Sequence, residues 1–192
     1  VKWMLLQSAN HQLRKILMKN LQLSFVYAIL LAVSGVGSAH AAEAPNDAQI
    51  AHIAYTAGTL DIKAAQQALT KSHNEEVTAF AKDRERDHQA VNDKALALVK
   101  KLGVTPEEND TSKALTKQAD EKLAEFAKLD GTAFDKAYVD NEIAYHKTVN
   151  GALKTTLIPS AHNEELKSLL STGLKIFEGH LEHAEHLAGT VK

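Results

Sequence analysis

Four long stretches of this chain repeat apolar residues three and four apart, and each is fenced by Asn, Gly or Pro, a pattern that admits helices and excludes half-buried strands. The first, from Asp47 to about Lys71, gathers Ile50, Ile53, Ala54, Ala57, Ala64, Ala65 and Ala68 on one face before the break Ser72-His73-Asn74. The second, about 75–102, does so with Val77, Phe80, Ala81, Val91, Ala95, Leu98 and Leu102, and Gly103 closes it. After a loop with Pro106, a more polar helix is expected over about 111–129, stopping at Asp130-Gly131. The fourth stretch runs from Thr132 as its cap to about Leu157, where Pro159 ends it, with Val139, Val149, Leu153 and Leu157 on its stripe. The fifth, about 162–188, carries Leu166, Leu169, Gly173, Ile176, Phe177, Ala184 and Leu187. Aromatics make up only 5% of 192 residues and alanine is abundant, so close-packed helices are favoured and the fold class is all-α.

Charged and imidazole side chains interrupt these apolar stripes. Asp61 falls in the middle of the first, Arg84 and His88 lie within the second, Glu142 and His146 share the fourth, and the fifth centres on His180. Of its other histidines, His183 sits near the edge and His186 turns toward solvent. At about 1.5 Å per residue, His88 and His146 lie about 20 Å into their helices, and Asp61 and His180 lie about 13 to 16 Å from their C-terminal ends. These positions coincide in one layer if the second and fourth helices are parallel to each other and antiparallel to the first and fifth. The third segment, about 27 Å long as a helix, can carry the chain back between them. The expected architecture is a ferritin-like four-helix bundle with an additional crossover helix.

The N-terminal residues belong to a different class. From Met18 the chain runs MKNLQLSFVYAILLAVSGVGSAHA, the charged, apolar and small-residue order of a secretory signal peptide ending at Ala39-His40-Ala41. Residues 1–17 are then an upstream extension, 18–41 the signal peptide and 42–192 the helical domain. The apolar core from Leu21 to Val33 is shorter than the roughly 20 residues of a spanning helix. Cleavage removes Lys2, Arg14, Lys15 and Lys19 and no acid, leaving 18 basic against 24 acidic residues and a formal charge of −6. Such a chain is a poor ligand for nucleic acid or anionic lipid, and no later segment is apolar enough for stable membrane insertion. The absence of cysteine removes disulfides and c-type haem attachment. The expected location is periplasmic or secreted, and the sequence identifies no protein partner.

The segments AFAKDRERDHQAVNDKALALVKKLGVTP, GTAFDKAYVDNEIAYHKTVNGALKTTLIP and LLSTGLKIFEGHLEHAEHL, in this order after a signal peptide, resemble the exported bacterial family called domain of unknown function 4142. The resemblance extends from about Asn46 to Leu187. It implies a ferritin-like helical bundle outside the cytoplasm and transfers no activity. The family's recurring histidines correspond to His88 in Asp87-His88, His146 in Ala144-Tyr145-His146 and His180 in Gly179-His180. Tyr145 and Gly179 stand where an acid precedes the histidine in many members.

Two readings of the inward cluster follow. As a structural network, Arg84 pairs with Asp61 or Glu142, and His88, His146 and His180 complete a buried, non-catalytic arrangement that holds helix register. As a metal site, the three imidazoles with Glu142 and Asp61 form a nitrogen and oxygen set suited to zinc, copper, iron or manganese, with Arg84 holding a carboxylate from outside. A metal-dependent oxidase is the weaker third case. Such enzymes use two Glu-x-x-His motifs, and this chain has Glu85-x-x-His88 but only Glu142-x-x-x-His146. The tyrosines Tyr55, Tyr138 and Tyr145 are expected at the bundle edges.

Overall fold

Asparagine starts four of the five long helices in the computed structural model, which describes residues 44–191. The upstream extension at 1–17 and the signal peptide at 18–41 lie outside the described residues. Asn46, Asn74, Asn109 and Asn163 each accept hydrogen bonds from the first free backbone N–H groups of α1 (Asp47–Lys71), α2 (Glu75–Leu102), α3 (Asp110–Phe126) and α5 (Glu164–Ala188). Helix α4 (Gly131–Ala152) is the exception. Its cap is Asp130 rather than the expected Thr132, and the Asp130 carboxylate pairs with Lys71 at 3.1 Å instead of capping. Gly131 makes the preceding turn with φ of 54°, a conformation costly for any residue with a Cβ.

Helix α4 does not stop at Leu157. It widens into a π-helical turn, Leu153–Leu157, and finishes in a short turn, Ile158–Ser160, that contains Pro159. Proline has no N–H to return to the carbonyl four residues back, and its ring crowds that carbonyl. The wider turn relieves the clash, and the Ile158 N–H bonds to the Leu153 carbonyl.

Hydrogen bonds between helices give their directions. The backbone N–H of Glu107 donates to the Ala48 carbonyl at 3.1 Å, and Gln67 and Lys71 donate to the Leu123 and Ala127 carbonyls at 3.1 and 2.9 Å. Helix α3 therefore runs alongside α1 in the same direction. At the other end of α4, the Asp47 carboxylate accepts from the N–H groups of His162 and Asn163 at 2.8 and 2.9 Å. Helices α1, α3 and α5 thus point one way and α2 and α4 the other. The pair α2 and α4 is parallel because α3 returns the chain between them, as the depth argument required.

The core has two halves. Near the α1–α2 turn, Ala65, Ala68, Val77, Phe80, Phe126, Phe134, Tyr138, Val139, Ala184 and Leu187 pack together. Toward the α4–α5 turn the cluster is Ile50, Ile53, Leu153, Leu157, Leu166, Leu170 and Phe177. Between the halves, on α1, α2, α4 and α5, stand Asp61, His88, Glu142, His146 and His180. Gly58 lets α1 approach α2 beside this seam: a Cβ there would collide with Asn92 Oδ1. No helix among the described residues is long and apolar enough to cross a membrane.

Candidate metal centre

All six residues read from the stripes are buried in the seam: Asp61, Arg84, His88, Glu142, His146 and His180 are each 3% exposed or less. His183 and His186 are exposed, and His183 sets its ring edge against Phe80 with centroids 5.0 Å apart. Tyr138 is fully buried rather than at an edge, and Tyr145 donates its hydroxyl to the Ala57 carbonyl at 2.7 Å. Glu85 lies outside the cluster and accepts a hydrogen bond from Gln66 at 2.9 Å.

The three imidazoles come from three helices, with centroids 5.2 to 5.7 Å apart, and His88 stacks on Phe177 at 4.3 Å. One nitrogen from each lies within 4.8 Å of the others, and Asp61, Glu142 and His146 form a second such trio. Burial holds His146 and His180 neutral. It lowers His146 to about 4; at His180, burial followed by the charge of Arg84 gives about 3.

Hydrogen bonds fix which nitrogen of each neutral ring carries the proton. His146 Nδ1 lies 3.0 Å from the Glu142 carbonyl oxygen, which only accepts, so Nδ1 is the N–H and Nε2 bears the lone pair. His180 Nε2 lies 3.1 Å from Asp87 Oδ2. Burial works to raise the Asp87 carboxyl, but hydrogen bonds and charge from Arg86 and His180 outweigh it and keep it ionised. His180 Nε2 is therefore the donor and Nδ1 the lone pair. The two lone-pair nitrogens, His146 Nε2 and His180 Nδ1, face each other at 3.3 Å.

The carboxylates divide into two states. Burial raises Glu142 well above the usual carboxylate range, and neighbouring Asp61 raises it further. Burial also opposes ionisation of Asp61, yet His88, His146 and the neighbouring Glu142 carboxyl hold it below that range. Asp61 Oδ2 contacts His88 Nε2 directly and stands 3.8 Å from His146 Nε2.

The expected ion pair between Arg84 and these carboxylates does not form: among the described residues neither oxygen pair comes within 4.0 Å of the guanidinium. Arg84 lies over the Phe80 ring with Cζ at 4.4 Å from its centroid, one helical turn below His88, which takes Asp61 first. Arg84 Nε and Nη1, Asp61 Oδ1, His88 Nδ1 and both Glu142 oxygens are buried without a hydrogen-bond partner.

Stripe reading missed Asp87. It precedes His88 in sequence but turns to the surface side of α2, where it accepts from His180 of α5 and from Arg86 Nε at 2.8 Å. The adjacent acid in Asp87-His88 was the available signal, and its histidine is the one on another helix.

These features define an all-α bundle with a buried histidine and carboxylate layer. The chain matches the profile of the family described as "Domain of unknown function (DUF4142)" over residues 34–187, and it belongs to that family. Among solved structures it is similar to a DUF305 fragment from Deinococcus radiodurans, with 14% identity and a TM-score of 0.66 over 74% of this chain and 95% of that one. It is also similar to a DUF305 protein from Streptomyces coelicolor described as a candidate secreted protein, with 12% identity and a TM-score of 0.62 over 72% and 89%. At such identities the likeness is one of fold. No curated protein matches the chain.

Proposed function

We propose that this protein is an exported binder of one divalent transition-metal ion, held by His88, His146 and His180 with the carboxylate of Asp61 beside them. The observation that carries this reading is the facing pair of lone-pair nitrogens 3.3 Å apart. Two unprotonated nitrogens cannot hydrogen-bond to each other, and bringing them together in a dry interior is unfavourable without something between them. Two nitrogens bound at about 2.05 Å to a tetrahedral ion stand about 3.3 Å apart. Each ring is also oriented from behind by an oxygen, the Glu142 carbonyl for His146 and the Asp87 carboxylate for His180, the arrangement that holds metal-binding histidines.

The unpartnered atoms weigh against a self-sufficient structural network. A stabilising network satisfies its members, and this one leaves Glu142, Arg84 and one oxygen of Asp61 without hydrogen bonds. The direct contact between His88 and Asp61 favours the network reading at one position only. The role proposed is binding, outside the cytoplasm in accordance with the signal-peptide order of residues 18–41.

The test is metal analysis of tag-free protein, followed by melting with and without zinc, copper, iron or manganese. One equivalent of metal and a rise in Tm are expected, with about 4 kcal/mol of added stability at a free-ion concentration 1,000 times Kd. A folded His88→Ala, His146→Ala, His180→Ala variant should lose both. A wild type that stays empty with all four metals and melts at an unchanged temperature refutes the proposal.

A further inference from the structure

Resting on the metal-binding reading, we infer that Asp61 is the fourth ligand, that Glu142 is not a ligand, and that the shell is a closed tetrahedron of three nitrogens and one oxygen. The two carboxylates approach different nitrogens of the His146 ring. Asp61 Oδ2 lies 3.8 Å from Nε2, the nitrogen with the free lone pair. Glu142 Oε2 lies 3.7 Å from Nδ1, whose proton is already given to the Glu142 carbonyl. An ion seated against the lone pairs of His146 and His180 therefore meets Asp61 on the lone-pair nitrogen, whereas Glu142 sits against the protonated one.

Asp61 Oδ2 also touches His88 Nε2, so these two atoms already converge on the place the ion would take. Binding inserts the ion between them, and any proton they share leaves to solvent. His146 belongs both to the trio of imidazoles and to the trio with Asp61 and Glu142, so a fourfold set would draw its donors from α1, α2, α4 and α5. Each side chain is 3% exposed or less, which leaves no solvent-facing position for an outside molecule.

The donor set also selects the metal class. The described residues contain neither cysteine nor methionine, so among them the cluster has no sulfur to offer cuprous ion. Four donors are too few for calcium or magnesium, which require six or more oxygens. A four-coordinate nitrogen and oxygen shell fits zinc(II) and its spectroscopic substitute cobalt(II).

Cobalt(II) titration of the metal-free full domain, followed by visible absorption, tests the inference. One equivalent should produce the intense bands of four-coordinate cobalt, unchanged in Glu142→Gln and weakened, with at least tenfold lower affinity, in Asp61→Asn. Binding of one equivalent with the faint spectrum of six-coordinate cobalt overturns the closed shell while leaving metal binding intact. An Asp61→Asn variant with the wild-type spectrum and affinity, or a Glu142→Gln variant that alone loses them, overturns the ligand assignment. The absence of any cobalt or zinc uptake by folded wild type overturns both this inference and the reading beneath it.

Discussion

Replacing Asp87 by Asn separates the proposed centre from the bundle that houses it. The Asp87 side chain is 26% exposed, it touches none of the facing nitrogens, and it acts on the site only through His180 Nε2 at 3.1 Å. Asparagine keeps the size of the side chain but removes the charge that Arg86 Nε holds at 2.8 Å. Its amide can still accept from His180, so the ring loses basicity and fixed orientation rather than its place. Losing an outer carboxylate of this kind costs 10- to 100-fold in metal affinity, or about 1.4 to 2.7 kcal/mol. The stability of the metal-free protein should change by less than about 1 kcal/mol, the usual range for a partly exposed ion pair. Competition with a chromophoric chelator measures the first quantity and urea unfolding in excess chelator the second. Long-range 15N–1H correlation should also show His180 as the Nε2–H tautomer and His146 as the Nδ1–H tautomer. An Asp87→Asn affinity within a factor of two of wild type, or a His146 ring protonated at Nε2, refutes the reasoning.

Metal-free protein should lose stability as pH falls from 7 to 5. His146 and His180 have folded pKa values near 4 and 3 against an unfolded value of 6.5, so the unfolded chain binds the extra protons. The loss begins near 6.5, amounts to on the order of 2 kcal/mol per histidine by pH 5, and stops below the folded values; urea midpoints of the Glu142→Gln variant that stay flat from pH 7 to 5 contradict it. Raised Glu142 runs in the opposite direction above pH 4.5 and flattens the upper part of the curve. Gly58→Ala should destabilise by about 1 to 3 kcal/mol through the Asn92 clash, and adding Asn92→Ala should recover part of that in equilibrium unfolding. Asp47→Ala removes both hydrogen bonds to the start of α5 and should cost about 1 to 3 kcal/mol, with faster amide exchange at Asn163. Tyr145→Phe leaves the Ala57 carbonyl without its hydroxyl and should cost about 1 kcal/mol in the same assay.

Most of the bundle was legible because a helix converts sequence spacing into direction at a constant angle and rise. Ile50, Phe80, Val139 and Ala184 declare their faces wherever they sit, and the same arithmetic turned Asp61, His88, His146 and His180 inward at matching depths. The boundaries at Lys71, Leu102 and Ala188 followed from local punctuation. The π-helical turn before Pro159 did not, since whether a proline ends a helix or is absorbed by a wider turn depends on what holds the next residues; here Asp47 of α1 holds His162 and Asn163.

The amino-acid sequence thus determined the helices, their buried stripes, the need for a parallel α2–α4 pair and the set of polar residues assigned to the seam. Tertiary structure alone decided their pairing. Arg84 lies on Phe80 and not on a carboxylate, Asp87 serves His180 on α5 and not its neighbour His88, and Asp61 and Glu142 approach different nitrogens of the His146 ring. Helical periodicity fixes a side chain's azimuth and depth to within a turn. Hydrogen bonds and lone pairs are decided over less than 1 Å and by ring rotation, which only the packed neighbours from other helices impose.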